Sequence, residues 1–333
     1  MLKKTGKGFL VILVLLFGVA LLKFKFLGKR LDLASIQPYL TQSLEDKDNL
    51  RLTYLGCAGF ILERNGQSIL CDPYISNPGL LEFGKMHTAW KEKVPENVLK
   101  SINIMTISHG HYDHCYDIEG LCQYLQQNTK IIGDVSVHYQ LDAIYKHTAI
   151  KKTALHYSEK QDWHYNTDSS IRVFPLQSTH SPHIGKIEFF KGKYTAPLAE
   201  LPNRAWQWKK GEAYSYLIDF LNKDQTISHR ITLVNGDMNA SSVKLLKQFC
   251  SERKTDYQLQ IFWKEALVTE NMLQVYAAAQ PKEIILHHWN NFFVSFDKPL
   301  EYLRDAHLPQ VLEKYNKDNI KMSMMLPFST VSL

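Results

Sequence analysis

Residues 109 to 114 read H-x-H-x-D-H, directly after "INIMTIS" at 102 to 108, a continuous apolar and β-branched run. Such a run predicts a buried strand, so three histidines and an aspartate are delivered together at the strand's C-terminal edge. In an extended loop the side chains at i and i+2 share a face, which lets His109 and His111 grip one ion. Asp113 and His114 then fall toward a second position. A solvated basic loop is the plain alternative; the directness with which the cluster follows the strand argues against it.

Two histidines and a carboxylate do not complete a hydrolytic metal site, so further donors are needed at other strand ends. "STHSPH" offers His180, with His183 behind it; "NGDM" offers Asp237; "LHHWNNFF" offers His287 or His288. Each lies just beyond a β-rich run. A lone histidine of this kind is usually structural, and it is the shared position of these residues that carries weight.

The rest of the chain gives those strands a frame. Residues 31–50 are polar, mixed in charge and read as a connector, and the domain runs over 51–333. Its first stretch predicts three strands, about 51–55, 59–63 and 68–72, with "ERNGQS" as a hairpin signal. "KIIGD", "IRVFPLQ", "AYSYLIDF", "RITLVNGDM", "YQLQIFW" and "EIILHHW" read as further strands. Helical spacing covers 117–127, 136–147, 241–250, 270–279 and about 298–314. Strands alternating with helices over two similar halves predict a layered α/β fold with sheets inside and helices outside.

With these segments in view the sequence resembles the metallo-β-lactamase-fold hydrolases. "HGHYDH" matches the family's diagnostic loop, "THSPH" its third-histidine segment, "GD" at Asp237 its bridging aspartate and "HHW" its last histidine. "YLGCAGFILERNGQSILCDP" is similar to the first strands, which end in an aspartate matching Asp72. The resemblance runs from about 51 to 295. "SHGHYDH" and "HHWNNFF" look most like the branch with ascorbate-phosphate lactonase and N-acyl phosphatidylethanolamine phospholipase D. It implies a four-layer αββα sandwich holding two divalent ions, zinc first, with iron or manganese tolerated. His109, His111 and His180 would bind one ion. Asp113, His114 and His288 would bind the other, with Asp237 bridging, and Asp113 and Asp237 would be the catalytic carboxylates. His288 is preferred to His287 because the family's ligand precedes the aromatic residue and only one of two adjacent strand residues faces the site. His183 is the fallback for His180, and Asp72 is a partner that orients a ligand histidine. A water shared by two such ions has its pKa lowered toward about 7. Cys57 departs from the histidine that relatives often carry after the glycine. Cys115 reads as a packed thiol.

Composition sets the remaining bounds. With 45% hydrophobic and 22% charged residues the chain is that of a folded protein. Five cysteines, odd in number and without a C-x-x-C pair, support neither a disulfide framework nor a thiolate zinc knuckle. The net charge of +6 is modest and concentrated near the start, in Lys3, Lys4, Lys7, Lys23, Lys25, Lys29 and Arg30. That placement favours lipid headgroups over nucleic acid, and no nucleic-acid-binding module is evident. "FLVILVLLFGVALL" at 9–22 is an uncharged apolar run, so 1–30 reads as an N-terminal membrane anchor, with a cleaved signal peptide as its rival. "KFKFLGKR" lacks the small-x-small cleavage pattern, which favours the anchor and a membrane location; positive charge on both flanks leaves the orientation open.

Between 186 and 210 lie Phe189, Phe190, Trp206 and Trp208 among six basic and two acidic residues. This is either a rim that receives an anionic, partly apolar substrate or an ordinary hairpin whose aromatics pack on the sheet. "NNFFVSF" at 290–296 has the same two readings. The sequence thus points to a membrane-anchored metal-dependent hydrolase, of phospholipase D-type phosphodiesterase activity on a lipid or amphiphilic substrate. The alternatives are a lactonase or ester hydrolase on a small soluble substrate, and a non-catalytic membrane scaffold with a structural metal site.

Overall fold

A computed structural model describes residues 18, 28–43, 50–78, 90–148, 155–183, 187–262, 270–303 and 306–333. The apolar run 9–22, apart from Gly18, lies outside the described residues, and among those described no helix is long and apolar enough to cross a membrane. The strands in chain order are β1 (Gly28–Arg30), β2 (Leu50–Gly56), β3 (Gly59–Arg64), β4 (Gln67–Cys71), β5 (Ile102–Thr106), β6 (Lys130–Gly133), β7 (Leu155–Tyr157), β8 (His164–Tyr165), β9 (Ile171–Thr179), β10 (Ala213–Leu221), β11 (Ile227–Val234), β12 (Asp237–Met238), β13 (Tyr257–Ile261), β14 (Glu283–His287), β15 (Glu301–Leu303), β16 (Met322–Met324) and β17 (Thr330–Ser332). The longer helices are α1 (Val135–Tyr145), α2 (Ala240–Glu252), α3 (Glu270–Ala279) and α4 (Leu308–Lys317).

Two large sheets result. One has the order β17-β2-β3-β4-β5-β6-β7; the other has the order β12-β9-β10-β11-β13-β14-β16, with β8 added on β9. Each is antiparallel in one part and parallel in another, the parallel stretches being β4 to β7 and β11-β13-β14-β16. The parallel strands place their C-terminal ends along one edge of each sheet, where ligands of such sheets bind.

Side-chain alternation sorts the apolar residues into three interfaces. Leu52, Phe60, Leu62 and Ile104 of one sheet meet Val173, Tyr216, Ile218 and Leu259 of the other. Ile61, Leu70, Met105 and Ile131 point the opposite way, against Val137, Leu141 and Ile144 of α1. Leu176, Leu217 and Val234 do the same against Leu246 of α2 and Val275 of α3. Helix, sheet, sheet, helix is therefore the layering, with α4 closing the end of the central core through Leu308, Val311 and Leu312.

Local chemistry fixes the turns and caps. Asn65 and Gly66 have φ of 52° and 75°, so "NG" forms the two-residue turn that joins β3 to β4 with Arg64 opposite Gln67. Asp134 caps α1 by accepting from Val137 N at 2.8 Å, and Asn239 caps α2 by accepting from Ser242 N at 2.8 Å.

Two stretches differ from the sequence reading. The helix expected over 298–314 is instead a strand followed by a later helix: β15 pairs with β1, and α4 starts at Leu308 with Pro309 in its first turn. A proline is well placed there because its missing N–H has no helical partner to lose. The helix expected over 117–127 is reduced to the single turn Ile118–Leu121, preceded by another at Tyr112–Cys115. Within 31–50, read as a connector, Leu31 and Ile36 are buried in the central core.

Candidate metal centre

The histidine loop leaves β5 and is held at its start by β10 of the opposite sheet and further on by the segment that leads into β10. Tyr216 donates its hydroxyl to Ile107 O at 2.7 Å, and Tyr214 N donates to Ser108 O at 2.9 Å. Gly110 N donates to Lys210 O at 2.7 Å; a Cβ at 110 would stand 2.4 Å from Lys209 O, so only glycine fits that approach. Gln140 of α1 joins the two segments, donating to Gly110 O at 2.7 Å and accepting from Lys209 N at 3.1 Å.

On this support two donor groups form. One nitrogen from each of His109, His111 and His180 lie within 4.8 Å of one another. His109 Nε2 and His111 Nδ1 are 3.0 Å apart, and both rings sit 4.8 Å from that of His180. The second group is Asp113, His288 and Cys57, again within 4.8 Å. His288 Nε2 lies 3.3 Å from Asp113 Oδ2. His114 adjoins this group, with Nε2 at 3.9 Å from Asp113 Oδ2 and its ring 3.9 Å from that of His109.

Asp72 orients His114. Its Oδ1 accepts from Ser108 N at 2.7 Å; its Oδ2 accepts from Asn235 Nδ2 at 3.1 Å and lies 3.3 Å from His114 Nδ1. That bond holds the Nδ1 proton and leaves Nε2 as the donor to an ion. Asp237 comes in on β12, paired with Thr179 of β9, the residue before His180. The crossing is close: a Cβ on Gly236 would stand 2.4 Å from Thr179 O. Gly236→Ala is therefore expected to cost about 1–3 kcal/mol, read as a lower urea midpoint, because a backbone atom must move.

Of the adjacent pair, His288 enters the site, whereas His287 turns into the core, its ring 5.2 Å from Phe60 and its Nε2 donating to Val234 O. His183 stacks on His180 at 4.9 Å and accepts from Phe189 N at 3.0 Å. Cys115 is a packed thiol that donates to His109 O at 3.3 Å.

Burial sets the charges. It drives His109 and His180 well below the ordinary imidazole range, with the neighbouring imidazoles adding to the effect, and brings His111 down to about 3. These histidines are thus neutral, as a metal ligand must be. Burial works against charge on Asp113 too, but His114 and His288 outweigh it and hold its carboxyl well below the usual carboxylate range. His111 Nε2, His180 Nδ1 and His288 Nδ1 are buried without a hydrogen-bond partner among the described residues. Neutral imidazoles packed ring on ring, with His109 Nε2 and His111 Nδ1 facing each other and His288 Nε2 beside an ionised carboxylate, fit a divalent cation.

Sequence reasoning did not reach several residues around the site. Asn290 Oδ1 accepts from Cys57 N at 2.7 Å and from the Tyr54 hydroxyl at 3.0 Å. Glu188 Oε1 lies 3.9 Å from His180 Nδ1 and pairs with Lys210 Nζ at 2.8 Å. The large apolar side chains of 187–212 divide between the two readings: Trp208 is buried in the core beside α1, Phe190 stands 6.0 Å from the His111 ring, and Trp206 and Ile187 are 60% and 57% exposed.

Known proteins resemble the chain in part of its sequence and in its fold. Residues 51–187 match the β-lactamase superfamily domain. A UPF0173 metal-dependent hydrolase of Aeropyrum pernix is 38% identical over 68 residues, 20% of this chain and 23% of that protein, so the match spans under a quarter of the relative's length. Among solved structures, Igni18, a metallo hydrolase from Ignicoccus hospitalis, superposes with a TM-score of 0.54 at 19% identity over 85% of this chain and 97% of that one. CmlA, a diiron β-hydroxylase from Streptomyces venezuelae, does so with a TM-score of 0.51 at 13% identity over 86% of this chain and 54% of that one. At these identities the structural likeness concerns the fold.

Proposed function

We propose that this chain, whose residues 51–187 match the β-lactamase superfamily domain, is a membrane-anchored, metal-dependent hydrolase, a phospholipase D-type phosphodiesterase on a lipid or amphiphilic substrate. The observation that carries the metal-dependent reading is the convergence at one sheet edge of His109, His111 and His180 beside Asp113 and His288. His109, His111 and His180 would hold one cation and Asp113, His114 and His288 the other, with Asp237, delivered beside His180 by β12, as the carboxylate that would serve both. When bound, two divalent cations, zinc by preference with iron or manganese tolerated, make a nucleophile of water near neutral pH and offset charge as it builds on the substrate.

The chain's own residues do the rest. Asp72, Ser108 and Asn235 keep His114 in one orientation, and Gln140 keeps the 209–211 backbone against the histidine loop. The lipid preference rests on the 187–212 rim, where exposed Trp206 and Ile187 accompany Lys191, Lys193, Lys209 and Lys210, and on the apolar run 9–22, which would bring that rim to a bilayer.

Metal content and hydrolysis are measured together, on N-acyl phosphatidylethanolamine and on phosphorylated lactones. The expected result is turnover of the lipid phosphodiester; indifference to it with turnover of the lactones would replace this reading by that of a soluble-ester hydrolase. Asp237→Ala is expected to lose metal and turnover while remaining folded by circular dichroism. Trp206→Ala is expected to raise KM for vesicle-borne substrate about tenfold with kcat unchanged, as loss of uniform apolar binding requires.

A further inference from the structure

Cys57 lies on the β2–β3 turn, far in sequence from every histidine of the site. Its Sγ is 3.2 Å from His288 Nε2 and 4.0 Å from Asp113 Oδ2, and those two atoms are 3.3 Å apart. Ligands held at about 2.0–2.3 Å around a tetrahedral ion stand about 3.3–3.6 Å from one another, so the contacts of His288 Nε2 with Cys57 Sγ and with Asp113 Oδ2 have the dimensions of edges of one coordination shell, and the third edge, Cys57 Sγ to Asp113 Oδ2, is longer at 4.0 Å. His114 Nε2, 3.9 Å from the same carboxylate oxygen, adjoins these three as a fourth donor.

The backbone is bent to produce this meeting. Cys57 and His288 both have left-handed φ, 48° and 59°, a region that non-glycine residues enter at a cost. Three bonds keep them there: His288 N donates to Cys57 O at 2.6 Å, the Tyr54 hydroxyl donates to the same oxygen at 2.9 Å, and Cys57 N donates to Asn290 Oδ1 at 2.7 Å. His288 Nδ1 is in turn buried with no hydrogen-bond partner among the described residues. The other cysteines have different surroundings. Cys71 and Cys122 are packed among apolar side chains of the cores, Cys250 sits against Thr255, and Cys115 donates to a carbonyl.

We infer that Cys57 is a thiolate ligand of the second cation, giving that site a Cys57, Asp113, His114 and His288 donor set. The inference rests on the metal-dependent reading above and changes its chemistry. The first site offers imidazole nitrogen; the second adds a soft sulfur, which favours zinc over manganese or magnesium. Coordination displaces the thiol proton to solvent and forms a metal–sulfur bond, with no change in oxidation state.

The full chain loaded with two equivalents of cobalt(II) tests this. A near-ultraviolet sulfur-to-cobalt charge-transfer band is expected in the wild type and in Cys115→Ser, and is expected to vanish in Cys57→Ser while the visible bands of the histidine-bound ion persist. X-ray absorption on the unaltered zinc protein provides the check that needs no variant, with one sulfur at about 2.3 Å per two zinc ions. Two bound cobalt ions without the band, a band that survives Cys57→Ser, or a zinc spectrum lacking sulfur would each overturn the assignment while leaving a two-metal site standing. Failure to bind cobalt or zinc at all would overturn both the assignment and the metal-dependent reading beneath it.

Discussion

His111→Ala is expected to lower hydrolytic turnover by at least about a hundredfold and to remove the first cation, with the fold retained. The magnitude follows from the position of the side chain: residues that merely orient a ligand cost about 10–100-fold in metal affinity or activity when removed, and a direct ligand falls at or beyond the upper end. Retention of the fold follows from what the imidazole does otherwise. Its polar contacts are local, to His109 Nε2 at 3.0 Å and to the Phe190 backbone, and neither is among the bonds that tie the root of the loop to β10. The same substitution separates metal-linked stability from intrinsic stability. A cation at about a hundred times its dissociation constant stabilises the folded state by about 2.7 kcal/mol. Zinc is therefore expected to raise the melting temperature of the wild type, and a chelator to reverse the gain. In His111→Ala the increment from the first cation should be absent. A variant that keeps full metal content and turnover would remove His111 from the site.

Why this residue was visible in the sequence, and others were not, is a matter of range. His109, His111, Asp113 and His114 fall within six consecutive positions after one apolar strand, so local sequence alone places them together. His287 ends β14 and meets Phe60 in the central core, whereas His288 lies just past the strand with a left-handed φ of 59°, so the alternation expected of two strand residues is replaced by a turn of the backbone. The turn at Asn65–Gly66 and the capping of α2 by Asn239 are equally local. Cys57 was the reverse case. Its side chain has meaning only through His288, which reaches it by way of two left-handed residues and a backbone bond that no pattern of hydropathy records. Gln140, Asn235 and Asn290 escaped for the same reason: each is a polar residue whose partners come from another layer. The helix read over 298–314 was lost to pairing of the same long range, since β15 is a strand through its contact with β1 near the other end of the chain.

Asp72→Asn is expected to weaken the second cation site about 10–100-fold while lowering stability by about 1–3 kcal/mol. In the native protein three groups approach this carboxylate: Ser108 N at 2.7 Å, Asn235 Nδ2 at 3.1 Å and His114 Nδ1 at 3.3 Å. The two nitrogens other than His114 are donors in any arrangement, and a carboxylate, which only accepts, satisfies all three at once. An amide cannot. With its NH2 toward His114 and Asn235 it meets one donor in Asn235, and it asks His114 Nδ1 to accept, which moves the imidazole proton to Nε2, where it blocks a metal bond. With the NH2 turned toward Ser108 N it restores the His114 tautomer but sets two backbone-facing donors against each other at the root of the histidine loop. Ser108 Oγ, 2.9 Å from His114 Nδ1, does not decide the matter, because a hydroxyl can rotate to donate or accept. Either arrangement penalises the metal-binding form of His114 while leaving His109, His111 and His180 unaltered. Metal titration by calorimetry should therefore show one near-native equivalent and one weakened equivalent, and urea denaturation should give the smaller loss of stability. Two weakened equivalents would mean that Asp72 acts on the loop as a whole, and two native ones that His114 is not a ligand.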